Sequence, residues 1–341
     1  MFRVGVDLGY GFVKAVSESG ERILFPSVVG SGGPRALAGL FGEKRASEDR
    51  YHVVVKAFGA ASGGSPAPEE RFVGDLALRE SPDASRAFDS DRADHPSTLA
   101  LLAVALGLLA GDRGPAHLGT GLPLQYYSGQ KERFRRALEG FSAEVEFLSP
   151  PLGKRRVSVG RVTLFPQAAG AFFAQLLDES GRVRDPDLAR GGGLVGVVDI
   201  GYKTVDFLVV DVGDGLAVRD RLSGTLDWGT SAVTRAVQRQ IEAASGRVVD
   251  AVAVDAALHG PGALYVWGAE YRVSEMAREA RREAARAIAD HLELRWGDAL
   301  GLMRRVYFAG GGAADLWEHL RRIHPAAQLV PDGQFANAKG F

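Results

Sequence analysis

Residues 197–210 read VVDIGYKTVDFLVV, and residues 4–17 read VGVDLGYGFVKAVS. Each sets branched apolar residues on both sides of a short polar turn, the pattern of two buried strands joined by a hairpin. Aligned without gaps, Asp7 falls on Asp199, Leu8 on Ile200, Gly9 on Gly201 and Tyr10 on Tyr202, a constant offset of 192 residues (199 − 7). One such turn is explained by the ordinary demand of tight turns for Asp and Gly. Two copies sharing four consecutive similar residues predict a chain of two related halves.

Glycine in each turn lets a polyanion approach the backbone N–H groups closely. The acid that opens each turn would repel a phosphate unless a divalent cation stood between them. Mg²⁺ takes one or two carboxylates together with water and phosphate oxygens. The two turns, facing each other across a cleft between two domains, therefore read as the jaws of a Mg²⁺–nucleotide clamp. A third element, FAGGGAADL at 308–316, runs a strand into three glycines and then a helix. It offers flat backbone to a nucleoside and a helix N-terminus to phosphate; the plain alternative is a tightly packed strand-to-helix turn. The spacing is not G-x-G-x-x-G, and there is no G-x-x-x-x-G-K-[ST], so neither a Rossmann site nor a P-loop is present.

Composition narrows the rest. At 341 residues the chain predicts two domains. Its 41 basic residues balance 42 acidic ones without a long Lys/Arg run, which argues against direct nucleic-acid binding. The absence of cysteine removes thiolate nucleophiles and Cys-ligated metals, and the seven histidines form no zinc-binding spacing. The apolar run TLALLAVALGLLAG at 98–111 is too short to cross a bilayer and reads as a buried helix. The N-terminus lacks a signal-peptide pattern, so the expectation is a soluble cytoplasmic chain with no membrane partner.

The pattern along the chain predicts a β-meander up to Gly30, then a Gly/Ser/Pro-rich lobe with a strand at 51–58. A buried helix at 98–110, a strand into LGTGLPLQYY and an amphipathic helix over SGQKERFRRALEGF follow. FPQAAGAFFAQLLDES (165–180) reads as a helix with Pro166 in its first turn, and DPDLARGGG as a low-complexity separator. Beyond the quoted strand pair come a strand near 216–222, a helix at 229–245 and a long helix at 274–294. The Arg and Glu residues of that long helix read as a solvated face.

These stretches resemble the actin/Hsp70/sugar-kinase ATPase superfamily. DLGYG with its following lysine is similar to the first phosphate motif, DIGYKTVD to the second, FPQAAGAFF to the connecting helix and AGGGA to the adenosine motif, in the family's order. GYGFVK, FPS, FVGDLALRES, TGLPLQYY, SGTLDWGTSAV and QFANAKGF are similar to the ParM/StbA-like bacterial and archaeal actins. The resemblance implies an α/β, actin-like ATPase fold: two βββαβα (RNase H-like) domains with small inserted subdomains around a nucleotide cleft. Domain I would span 1–165 plus about 320–341, with an insert at about 30–96. Domain II would span 166–319, with an insert at about 232–272.

The resemblance also implies an ATPase that binds ATP or GTP with Mg²⁺ and couples hydrolysis to self-assembly into filaments. Its roles would be plasmid segregation or intracellular organisation, with a DNA-binding adaptor protein as a candidate partner. By the same resemblance, Asp7 and Asp199 hold Mg²⁺ through water. Gly9, Tyr10, Gly11, Gly201, Tyr202 and Lys203, with Lys14 and Thr204, clamp the phosphates, and Gly310, Gly311 and Gly312 carry the nucleoside. Gln167, opening the connecting helix, orients the attacking water, with Asp206 as an accessory. The plainer readings are an exposed strand lysine, a helix-terminal glutamine and a satisfied strand acid. Two other functions fit the same fold: a small-molecule kinase and a non-polymerising nucleotide-binding adaptor.

Overall fold

The computed structural model describes residues 1–37, 50–58, 67–86, 95–148, 152–178, 180–213 and 215–341. Much of the predicted lobe at 30–96 lies outside the described residues. The chain divides into two compact units, Met1–Gly170 with Asn337–Phe341, and Ala171–Ala336.

In the first unit β1 (Phe2–Leu8), β2 (Phe12–Ser17) and β3 (Arg22–Pro26) form the predicted antiparallel meander. Strands β4 (Val28–Ser31), β5 (His52–Phe58) and β6 (Glu69–Val73), helix α1 (Asp75–Glu80) and β7 (Ser85–Arg86) follow. Then come α2 (Pro96–Leu109), β8 (Ala116–Leu122), α3 (Leu124–Leu138), β9 (Ser142–Phe147) and β10 (Gly153–Pro166). Among the described residues the sheet order is β3-β2-β1-β8-β10-β9-β5-β6-β4-β7, with β1, β8 and β10 parallel. Helix α2 starts on Pro96, where a missing N–H costs nothing, and buries nearly its whole circumference against this sheet. Leu102 and Leu106 are fully buried, each contributing about 1.5–3 kcal/mol.

Helix α4 (Ala169–Leu176) leads into the second unit, which continues with α5 (Pro186–Gly191), β11 (Gly193–Ile200), β12 (Val205–Val212), β13 (Leu216–Val218) and β14 (Gly224–Leu226). Next are α6 (Ser231–Ser245), α7 (Ala251–His259), β15 (Leu264–Val266), β16 (Ala269–Tyr271) and α8 (Val273–Trp296). The chain closes with β17 (Met303–Ala309), α9 (Ala313–Leu320), β18 (Ala327–Leu329) and α10 (Ala336–Gly340). The sheet order is β13-β12-β11-β17-β18, with β14 added to β12. This repeats β3-β2-β1-β8-β10: two antiparallel pairings, then two parallel ones. Both central strands of the quoted stretch are almost wholly buried, as continuous Val/Ile/Leu runs require.

Four local expectations change. Pro166 ends β10 and is not in a helix, because parallel pairing to β8 runs through Pro166↔Leu122 and the Gln167 N–H still donates to Leu122 O at 2.7 Å. DPDLARGGG forms α5, whose free N–H groups at Asp187 and Leu188 are capped by Asp185. The segment 232–272 is not all insert: Val233, Val237 and Ile241 of α6 share one core with Val198, Phe207 and Ile288. Finally, β18 pairs with β17 and keeps the preceding C-terminal residues in the second unit. Only Asn337–Phe341 return to the first unit, where Phe341 stacks on Phe165 with ring centroids 6.0 Å apart.

Candidate functional site

In the first unit the β1–β2 register makes Asp7 the Cα partner of Lys14, so both side chains stand on one face of the sheet. Lys14 Nζ donates to Asp7 Oδ2 at 3.0 Å, and Gln167 Nε2 donates to Oδ1 at 3.1 Å. Asp7 is buried, and these donors give its charge the partners that burial demands. Lys14, predicted to reach phosphate, is engaged with this acid. Gln167 sits just beyond the end of β10 and before α4, since buried Ala168 takes a left-handed turn with φ 70°. A Cβ on Gly9 would lie 2.7 Å from Lys14 Nζ and 2.8 Å from Phe12 O, which leaves no room for any other residue. Ser27 pins the turn: its hydroxyl donates to Gly9 O at 2.7 Å and its N–H to Gly11 O at 2.9 Å. The Tyr10 ring is buried, so that position presents backbone rather than a phenol.

The second unit repeats this hairpin in the same register but with different charges. Asp199 is the Cα partner of Asp206, and the 192-residue offset places Asp206 where Lys14 stands (14 + 192). Two buried carboxylates therefore lie side by side on adjacent strands. Thr225 Oγ1 donates to Asp206 Oδ1 at 2.5 Å and Thr204 Oγ1 to Oδ2 at 3.3 Å. Thr204, predicted to clamp phosphate, is buried and supports Asp206. The turn closes with Gly201 N–H donating to Thr204 O at 2.9 Å. The start of α6 grips it from outside: Thr230 N–H donates to Gly201 O at 3.1 Å and Ser231 N–H to Tyr202 O at 2.8 Å. Lys203 is half-buried on the same turn.

The glycine turn meets this hairpin at its base. Gly310 has φ +89°, and a Cβ there would lie 2.4 Å from both Asp199 Oδ1 and Ile200 O. Gly312 N–H donates to Ile200 O at 3.0 Å, and α9 starts directly after it. Beside the turn Thr230, Thr234, His259, Arg281, Asp315 and Leu316 line a narrow cleft. Asp199, Asp206, the 201–204 turn and the glycine turn thus form one cluster in the second unit. Asp7, Lys14, Gln167 and the 9–11 turn form another in the first.

Sequence reasoning passed over Ser27, Thr225 and Thr230. All three lie in the quoted stretches FPS and SGTLDWGTSAV, but their roles depend on which strand each meets.

Like charges directly opposed on neighbouring strands are unfavourable and favour a proton or cation between them. Asp199 and Asp206 supply the hard oxygen donors that suit Mg²⁺ held mainly by water and phosphate. Asp7 already accepts from Lys14 on Oδ2 and from Gln167 on Oδ1, which suits an ion met through water. Among the described residues no group of three or more His, Cys, Asp or Glu forms a complete metal cage, and no helix is long and apolar enough to cross a membrane.

Residues 5–170 match the family model described as actin-like proteins, N-terminal domain. Residues 197–322 match that of the archaeal actin homologue MreB-like, C-terminal. The archaeal actin homologs of Thermoplasma acidophilum and Thermoplasma volcanium are each 26% identical over 359 residues, spanning 100% of this chain and 98% of theirs. A 15-stranded ParM filament from Clostridium botulinum superposes with a TM-score of 0.84 at 26% identity, over 99% of this chain and 97% of that one. The fold is also that of an archaeal actin homolog crystallised with ADP, with a TM-score of 0.77 at 22% identity, over 100% of this chain and 97% of that one. With a family match on each unit and one strand order repeated in both, the chain belongs to the actin-like proteins.

Proposed function

We propose that this chain is a Mg²⁺-dependent nucleoside triphosphatase that assembles into filaments, with its two acid-bearing hairpins as the phosphate-binding elements. The observation that carries this reading is the identical register of the hairpins with unlike charges, Asp7 against Lys14 and Asp199 against Asp206. The first hairpin is neutralised by its own lysine and can present turn amides to an anion. The second concentrates two carboxylates and suits a cation. Mg²⁺ would supply charge neutralisation on the phosphate oxygens. In the second unit Asp199 and Asp206 would hold that ion, and in the first unit Asp7 is the candidate carboxylate for the same chemistry.

The Gly9–Gly11 turn and the Tyr202–Lys203 part of the second turn bind phosphate, the Gly201 N–H being spent on Thr204 O, and the backbone at Gly310–Gly312 takes the nucleoside. Gln167, locked on Asp7, orients the attacking water; a glutamine positions water without acting as a strong base. ATP is the proposed nucleotide over GTP because relatives of this fold include one crystallised with ADP. Filament assembly rests on the ParM filament relative, and roles in plasmid segregation or intracellular organisation through an adaptor rest on the family resemblance.

The test combines phosphate release, light scattering and negative-stain microscopy with Mg-ATP, Mg-GTP, ADP and a non-hydrolysable analogue. Filaments with triphosphate, and turnover abolished in Asp199→Ala, support the proposal. A wild-type protein that stays monomeric while phosphorylating a small molecule overturns it in favour of a kinase; turnover unchanged in Asp199→Ala overturns the metal assignment.

A further inference from the structure

We propose that the first unit holds a second ligand site, a pocket between the β4–β5–β6 face and the start of α2 that takes a small lipophilic amine. The apolar body of the amine fills the pocket and its ammonium group meets the Asp83 carboxylate. The site lies wholly within the first unit and does not depend on the nucleotide reading above.

Strand alternation puts Val29 of β4, Val55 of β5 and Glu69 and Arg71 of β6 on one face of the sheet. The ladder makes Val55 the Cα partner of Glu69 and Ser31 that of Arg71. Over this face, Leu99 and Ala100 in the first turns of α2 and Phe141 just before β9 complete a pocket of about 320 Å³. Val29, Val55 and Phe141 are buried and Leu99 is half-buried, so the walls are apolar. The volume falls within the range of sites for small organic ligands, about 300–1,000 Å³. At about 30 Å³ each, roughly ten waters would fill it, and aliphatic walls give those waters few hydrogen bonds. An apolar body gains by displacing them.

Three charged side chains line the same pocket, Glu69, Arg71 and Asp83. Two of them answer each other: Arg71 Nε and Nη2 donate to Glu69 Oε2 at 3.2 and 2.5 Å. Asp83 is held differently. Its Oδ1 accepts from the Ser31 N–H at 2.7 Å and the Ser81 hydroxyl at 2.6 Å, and its Oδ2 from the Ser31 hydroxyl at 2.6 Å. All three donors are neutral, and among the described residues no Lys, Arg or His forms an ion pair with Asp83. The Ser31 hydroxyl, then the Ser81 hydroxyl and the Ser31 N–H, hold its pKa well below the ordinary carboxylate range. Asp83 is therefore a fixed anion at neutral pH, and hydrogen bonds position it without cancelling its charge.

An apolar chamber with one unanswered carboxylate at its rim selects a ligand with one positive charge and an apolar body. A protonated amine brings that charge and donors to an acceptor-only group. A carboxylate or phosphate ligand would be repelled by Asp83, and a wholly polar cation would leave the chamber unfilled. Because Asp83 is exposed, the ion pair contributes little affinity in water; it sets the choice of ligand while the apolar contact supplies most of the binding.

The test titrates full-length protein, without nucleotide, with 1-naphthylmethylamine, 1-naphthalenemethanol and 1-naphthoate, which carry one ring with a positive, neutral and negative group. Isothermal titration calorimetry reads each affinity. The amine is expected to bind about fivefold tighter than the alcohol and about tenfold or more tighter than the naphthoate. Asp83→Asn keeps acceptors for Ser31 and Ser81 and should bring the amine within about twofold of the alcohol. Ala137→Phe, which fills the pocket from α3, should abolish binding of all three; Ala137 lines the pocket. Unchanged melting temperatures show that both variants are folded. No binding of the amine, naphthoate bound as tightly as the amine, an amine preference retained in Asp83→Asn, or amine affinity unchanged in folded Ala137→Phe overturns the proposal. Hydrolysis and assembly do not enter the readout, so either reading can fail while the other stands.

Discussion

Asp199 and Asp206 are Cα partners on adjacent antiparallel strands, whereas the equivalent positions of the first unit hold Asp7 and Lys14. A duplicated hairpin has thus kept its backbone and exchanged one charge. In the first unit the acid is neutralised from within. In the second two carboxylates lie together, with Thr225 and Thr204 donating to Asp206, an arrangement that suits a cation. Asp206→Asn should therefore raise the stability of metal-free protein by about 0.5 kcal/mol while weakening Mg²⁺-dependent turnover. Denaturant titrations with and without Mg²⁺ check both signs: the wild type should gain more from Mg²⁺ than the variant does.

Removing Lys14 leaves Asp7 buried beside a single neutral donor, Gln167. Lys14→Ala should cost about 3 kcal/mol, and Lys14→Ala combined with Asp7→Ala should cost less than the sum of the two single changes. A double-mutant cycle by urea unfolding reads the coupling. Gln167→Ala should lower the hydrolysis rate more than nucleotide affinity; equal losses in both would assign Gln167 to holding Asp7 alone.

At Gly310 a methyl group would collide with Asp199 Oδ1 and with Ile200 O, on backbone at φ +89°. Gly310→Ala should destabilise the protein by about 2 kcal/mol or more and weaken nucleotide binding. Gly301 has open space around it and serves as the control, with Gly301→Ala near neutral. Thermal melts and fluorescent-nucleotide binding on both variants make the comparison.

His117 and His291 both have pKa values held below their ordinary 6.5, chiefly by burial, with Arg161 and Arg3 adding to the first and Arg295 to the second. The unfolded chain then takes up protons before the folded one does. Stability contributed by these groups is complete above about pH 7 and is lost as the pH falls below 6.5. Melting curves at pH 7.5 and 5.5 should show this loss, and His117→Gln with His291→Gln should reduce it.

Much of the fold was legible because one hairpin motif is written twice. Branched residues flanking Asp-x-Gly-Tyr report buried strands, and the constant offset reports that the second copy has the same register. The buried helix at 96–109 was equally plain, since Leu101–Leu106 is apolar on every face. Gln167 was misplaced because Pro166 suits both a strand end and a first helical turn. Only the pairing of β10 with β8 decides between them. The insert at about 232–272 came from the resemblance, and only the packing of Val233, Val237 and Ile241 against Ile288 of α8 shows that the buried face of α6 belongs to the main core.

The sequence by itself determined that an acid opens each turn, that glycine follows, and that the motif recurs at a fixed distance, because these are properties of residue identity and spacing. It could not determine that Lys14 answers Asp7 while Asp206 stands beside Asp199, or that Thr225 and Gln167 reach those carboxylates. Those facts belong to cross-strand register and to strands far apart in the chain, and a side chain meets its partner only after the sheet has formed. The tertiary structure alone decided which acid faces a lysine and which faces a second acid.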